Sequence, residues 1–208
     1  MSNTNNTTPQ RQTRPRRSNQ ERTEITASAL LAAARELFVT KGYADTATPE
    51  IVAAANLTRG ALYHHFEDKT DLFRAVVMKE AQAVADSIGS DTARPRSPID
   101  ALMAGADSWF EAMSVPGRAR LLLIDGPSVL GHAEMSHIDN QTGGRTLRDG
   151  LATALGPAAS KKLPVDALAA ILSAAFDRAA LAVNAGEPLQ DYRKALRVIL
   201  ERLVAPAR

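Results

Sequence analysis

Residues 46–73 read TATPEIVAAANLTRGALYHHFEDKTDLF, two short helical patterns joined by one sharp turn. Ile51, Val52 and Ala55 recur at helical spacing, so the first helix buries one narrow face. It stops at Asn56, the residue type that best replaces glycine where the backbone must turn left-handed. Thr58 is the expected N-cap of the second helix, and Leu57 with Leu62 forms a hydrophobic staple that sets its entry angle. Leu62 and Phe66 make the buried stripe of that helix. Arg59, Gly60, Tyr63 and His64 are left facing outward, and the small Gly60 and Ala61 let the backbone come close to the floor of a groove.

The flanks extend the pattern. Thr48 is the expected cap of the first helix, with Pro49 at the position where its missing N–H does no harm. Asp68 and Asp71 read as N-cap and third residue of the next helix, which puts Lys69 at the positive end of a helix dipole. A cation there needs a reason, and an ammonium beside free amide donors would clamp a phosphate. Upstream, Leu30, Ala34, Leu37 and Phe38 share one face of a helix expected from near Glu21 to Thr40, closed by Gly42.

Residues from about Thr23 to Val77 resemble the DNA-binding domain of the TetR family of transcriptional regulators. The resemblance rests on Phe38-x-x-Lys41-Gly42-Tyr43, Ile51 to Ala55, Leu57-Thr58-x-Gly60-x-Leu62-Tyr63-x-His65-Phe66, and Lys69-x-x-Leu72. Asn56 stands where the family usually has Gly, and Ala47 where it usually has Thr. The resemblance implies a homodimer that represses transcription from a palindromic double-stranded operator and is released by a small organic effector. Thr48, Thr58, Arg59, Gly60, Tyr63, His64 and Lys69 are then the DNA-binding residues.

The 208 residues, 45% of them hydrophobic, suit one such head plus a larger domain. Three segments are expected: a disordered basic arm over 1–20, the helix-turn-helix head over 21–69, and an effector-binding and dimerisation domain over 70–208. The net charge is only +2, but Arg11, Arg14, Arg16, Arg17 and Arg22 crowd a front otherwise made of polar residues. Such a segment reads either as a solvated leader or as an arm that tracks DNA. No cysteine is present, so neither a disulfide framework nor a thiolate metal site is available. No apolar run is long enough to span a bilayer and no secretory signal is visible, so a cytoplasmic protein without membrane contact is expected.

The remainder is helical punctuation without strand alternation, giving an all-α fold: an N-terminal three-helix head and a C-terminal bundle. Helices are expected over 70–88, 99–113, 118–130, 144–155, 165–185 and 189–204. The last two carry Leu172 and Phe176, and Leu196, Ile199, Leu200 and Leu203. Those residues read either as core within one chain or as a dimer seam. Because the family builds a two-fold four-helix bundle from the matching pair, the seam is the expectation.

Asp125-Gly126-Pro127 interrupts an apolar run, and Pro127 cannot donate to the carbonyl four residues back, so a kink or break with freed carbonyls is expected there. Trp109, Met113, Asp125, His132, His137 and Phe176 are the residues expected around an effector pocket; Trp109 and the methionines read equally well as core filler. His132, His137 and Asp139 lack the spacing of a metal site, and neither a metal nor a cofactor is expected. Ser128, Asp125 and His132 supply the residue types of a hydrolytic triad without the strand and glycine elbow that such a nucleophile needs, so an enzyme is not expected. A helical-bundle hydrolase and a DNA binder without a small-molecule effector stand as the alternative readings.

Overall fold

The computed structural model describes residues 19–89 and 95–204. The basic arm lies outside the described residues except for Asn19 and Gln20, which open the first helix instead. The elements are α1 (Asn19–Lys41), α2 (Thr48–Ala54), α3 (Arg59–His65), α4 (Lys69–Gly89), α5 (Pro98–Met113), α6 (Arg118–Arg120), a π-helical turn (Leu121–Asp125), α7 (Gly126–Leu130), α8 (His132–Gln141), α9 (Gly143–Ser160), α10 (Val165–Asn184) and α11 (Leu189–Val204). No strand occurs among the described residues.

The head forms because its apolar residues meet at one point. Leu30, Ala34 and Phe38 of α1, Ile51 of α2, Leu62 of α3, and Leu72 and Phe73 of α4 are fully buried together. Phe38, Tyr43 and Phe73 stack as tilted and edge-on rings with centroids 5.0–5.8 Å apart. Thr46 is buried and donates its hydroxyl to the carbonyls of Gly42 (2.7 Å) and Leu37 (3.2 Å), closing the last turn of α1. The same core runs on along α4 through Val76, Val77, Ala81 and Val84 into the body.

Two features of the body refine or differ from expectation. The helix over 118–130 does not break at Gly126-Pro127. Gly126 N–H reaches the carbonyl of Leu121, five residues back. This wider turn is compatible with a following proline that has no donor to offer, and the rod 118–130 stays continuous. A side chain at Gly126 would strike that carbonyl at 2.9 Å and the Met135 sulfur at 2.9 Å, so only glycine fits. The real interruption is Gly131, with φ of 83°.

The second difference concerns the expected seam. Leu172, Phe176, Leu196 and Leu200 are buried within the chain, packed with Leu102, Met103, Ala106, Phe110, Leu151 and Ala179. Leu203 packs half-buried against the same interior. Of the six, Ile199 alone is substantially exposed, at 47%. The inward face of α11 belongs to α5, and the apolar residues left over point away from it. Val198 of α11 (58% exposed) and Ile171 of α10 (67%) are exposed too, as are Ala167, Ala170, Ala174 and Ala195.

Candidate nucleic-acid interface and internal cavity

The helix-turn-helix is assembled by local chemistry. Asn56 adopts φ of 53°, the one non-glycine positive φ among the described residues. Thr58 caps α3, its hydroxyl oxygen accepting from Ala61 N at 3.2 Å. The expected Thr48 cap is not formed. Ala47 occupies the cap position of α2, its carbonyl accepting from Glu50 N (3.1 Å) and Ile51 N (3.3 Å), while the Glu50 carboxylate accepts from Ala47 N at 3.0 Å. Glu50 also pairs with Lys41. Backbone and Glu50 together do what a side-chain cap would have done, and Thr48 is free for another role.

That role lies toward α3. A hydrogen bond with Thr48, followed by one with Arg59, holds the Tyr63 hydroxyl below its ordinary pKa. The Arg59 guanidinium sits 5.4 Å from the centroid of the same ring. Thr58, Arg59, Gly60, Tyr63 and His64 are all exposed, and Thr48 is half-exposed beside them. At Gly60 an added Cβ would meet nothing closer than the Thr58 hydroxyl at 3.9 Å, so the helix backbone is open to close approach. His65 is half-buried against Phe66.

Lys69, expected as a phosphate clamp, is also engaged within the head. Asp68 does cap α4, accepting from Asp71 N at 2.8 Å. The Lys69 ammonium, however, donates to the carbonyls of Tyr43 (2.9 Å) and Thr46 (3.0 Å) and lies 4.2 Å from the Tyr43 ring centroid. It ties the start of α4 to the α1–α2 turn. The cation stands at an unfavourable helix end because two carbonyls hold it there.

Head and body meet at a buried ionic joint. Glu80 of α4, 6% exposed, accepts from Arg35 of α1 (Nε, 2.9 Å) and from Arg118 of α6 (Nε, 2.8 Å). Burial alone would raise the Glu80 pKa; the hydrogen bonds from Arg35 and Arg118, then their charges, outweigh it and leave the carboxyl below its ordinary value. Arg35 also donates to the Pro116 carbonyl at 3.1 Å. Beside it, Val39 of α1 presses on Gly117, where a Cβ would lie 2.4 Å away.

The body contains two adjoining cavities of about 850 and 750 Å³. Trp109, Met113 and His132 line the larger one, as expected, together with Leu122, Leu123 and Pro127 of the rod. Phe176 lines the smaller one, packed against Trp109 with centroids 5.4 Å apart. Asp125 and His137 line neither. Asp125 turns to Arg120, with Oδ2 3.2 Å from its Nε. His137 is exposed and contacts Gln141 at 2.8 Å. Both cavities instead include Asp139, Ser173 and Asp177. The signal for these lay in α10, where Ser173 and Asp177 fall four residues apart beside Leu172 and Phe176, a carboxylate on an inward face. Among the described residues no cluster of three or more His, Asp and Glu is arranged to hold a metal ion.

Residues 30–76 match the family model of bacterial regulatory proteins, tetR family, and residues 99–206 match the tetracyclin repressor-like C-terminal domain. The chain belongs to the TetR family of transcriptional regulators. A TetR-family regulator from Pectobacterium atrosepticum, solved by crystallography, is 30% identical, with a TM-score of 0.67 over 92% of this chain and 100% of that one. The regulator AcrR of Shigella flexneri is 33% identical over 109 residues, 52% of this chain and 50% of AcrR. The repressor BepR of Brucella suis is 42% identical over 52 residues, 25% of each chain. The chain thus matches half or less of the length of these two curated relatives. TetR-family regulators bind DNA, and α3 with its exposed Arg59 and Tyr63 is the helix-turn-helix element that this TetR-family chain offers. Among the described residues no helix is long and apolar enough to cross a membrane.

Proposed function

We propose that this TetR-family chain is a cytoplasmic, homodimeric repressor that binds a palindromic operator through α3 and is released when a small organic effector enters the cavity beside Trp109. The observation that carries the reading is the rod 118–130. Leu122, Leu123 and Pro127 form cavity wall, while Arg118 at its other end is bonded to the Glu80–Arg35 joint with the head. A ligand that displaces the wall pushes on the joint. Linkage then requires the effector to bind the DNA-bound form more weakly.

In the dimer, Ile171, Val198, Ile199 and the exposed alanines of α10 and α11 meet their two-fold mates, since small residues permit close helix approach and one α3 alone reads too little DNA. Ala170 and Ala174 line the larger cavity too, so dimerisation would close that side. On DNA, Arg59 and His64 read base edges, Thr48, Thr58 and Tyr63 hold phosphates, and Lys69 contributes the one N–H that its two carbonyl contacts leave over. The similarity of the head to that of the repressor BepR supports the repressor assignment.

Selection of bound duplexes from a randomised pool, followed by fluorescence anisotropy, tests the reading. A two-fold-symmetric consensus is expected, and Arg59→Ala should cost about 1–3 kcal/mol per half-site on it while leaving binding to scrambled DNA nearly unchanged. Equal losses on both duplexes would remove Arg59 from base reading, and failure to enrich any sequence would overturn the operator assignment.

A further inference from the structure

Arg59 and Tyr63 stand one turn apart on α3, and a helical side chain leans back over the turn that precedes it. Tyr63 therefore reaches toward Arg59, and the guanidinium lies 5.4 Å from its ring centroid, within the range of a cation–π contact. Of the two positions one turn on from Arg59, Leu62 is fully buried, while Tyr63 is 44% exposed. Gly60 beside them has no side chain to offer. Tyr63 is thus the neighbour on α3 that can steady an outward-facing Arg59.

The ring has an anchor of its own across the turn. Ala47 and Glu50 cap α2 between them, and the Thr48 side chain, released from that task, hydrogen-bonds to the Tyr63 hydroxyl, as Arg59 does next. Both bonds lower the Tyr63 pKa, as donors to its oxygen do. The hydroxyl keeps its own proton to give to a phosphate. Thr48, Tyr63 and Arg59 form a chain from the start of α2 to the start of α3. Other cations of the head are engaged differently: Arg35 and Lys41 pair with Glu80 and Glu50, and Lys69 is held by two carbonyls. A ring face engages the charge of Arg59 without consuming its N–H fork. An arginine steadied before it docks also gives up less rotamer freedom on docking.

We propose that Tyr63 is a positioning residue for base recognition: its ring, pinned by Thr48, holds the Arg59 fork outward, and Arg59 so held selects guanine through O6 and N7 at one position of each half-site. The assignment rests on the operator reading given above and adds which base Arg59 selects and what aims it. Tyr63 then sets specificity at a base that it does not touch.

Fluorescence anisotropy on the selected operator and on duplexes with single base-pair changes tests this. In the wild type, one G·C position should lose about 5–150-fold in affinity when replaced by A·T, and Arg59→Ala should be indifferent to that replacement. Tyr63→Phe keeps the ring, so it should weaken binding to all duplexes alike and retain the guanine preference. Tyr63→Ala should reduce that one preference to less than about threefold and keep the preferences at the other positions, a selective loss that a merely structural role does not produce. A measurement without DNA stands beside these. The Arg59 δ-methylene proton resonances should lie upfield in the wild type and in Tyr63→Phe, under the ring current, and return to the ordinary arginine position in Tyr63→Ala. If Arg59 δ-protons show no upfield displacement in the wild type, or Tyr63→Ala leaves the guanine preference intact or erodes every position alike, the positioning role is overturned and the operator reading stands. A base other than guanine at the position where Arg59→Ala is indifferent overturns it as well. If no sequence is enriched by the wild type, the operator reading falls and this assignment with it.

Discussion

Glu80→Gln removes one charge and keeps the shape of the side chain, leaving Arg35 and Arg118 facing a neutral amide. Glu80 is 6% exposed and accepts at 2.9 Å from one arginine and 2.8 Å from the other. Depriving a buried ion pair of one partner costs ~3–5 kcal/mol. The Arg35 side chain is 25% exposed and that of Arg118 is 12%, so water recovers part of their hydration. A loss of about 2–3 kcal/mol follows, equivalent to roughly 5–10 °C in melting temperature for a chain of this size. Because the trio joins α1, α4 and α6, the head should lose cooperativity with the body, and urea unfolding at fixed chain concentration should broaden or divide into two steps. The Glu80 carboxyl titrates below its ordinary 4.5 when folded. Its contribution is therefore complete above that value and is lost as the pH falls through the folded pKa, so wild type and variant should converge in acid. A loss below about 0.5 kcal/mol at neutral pH, in the range of an exposed pair, would refute the view that this joint holds head to body.

Three further outcomes are expected. Asn56→Gly should be tolerated, whereas Asn56→Val should destabilise the head by about 1–3 kcal/mol in chemical denaturation, because a β-branched residue resists φ of 53°; a harmless valine would mean that the turn is built differently. Ile171→Asp and Ile199→Asp should each give a folded monomer in sedimentation velocity, since both residues are exposed within the chain and a charge there costs only association; a variant that stays dimeric moves the seam elsewhere. Lys69→Ala should lower the melting temperature by the loss of two hydrogen bonds, about 1–3 kcal/mol, as well as weaken binding to all duplexes alike, whereas a phosphate contact alone would leave the melt unchanged.

The head was legible in the sequence because its determinants are local. Asn56, Thr58 and Asp68 each act on backbone within a few residues, and the staple and buried stripe follow from spacing alone. The Ala47 cap escaped the same reasoning because carbonyl oxygens, which every residue owns, replaced the side chain. The internal contacts of Lys69 escaped for a related reason: a dipole argument counts charges along one helix, and the carbonyls that hold this ammonium belong to a turn more than twenty residues earlier. Pro127 was ambiguous in kind, since a break and a π turn both accommodate a missing donor, and only the packing of Gly126 on Met135 selects the second.

The body posed the harder problem, because periodicity reports that a face is apolar and is silent on what covers it. Leu196, Ile199 and Leu200 are nearly contiguous around α11, yet α5 takes Leu196 and Leu200 and leaves Ile199 outside. The same limit hid the acid pair. Asp177 was visible as a charge on an inward face, a position that excludes simple solvation. Its meaning depends on Asp139, which reaches the same space from α8 only because Gly144 clears the way. Burial first and the Asp139 charge second raise the Asp177 pKa, so the state of this carboxyl depends on a residue from another helix. That dependence is a relation among α8, α9 and α10, and it comes into being only when the chain folds.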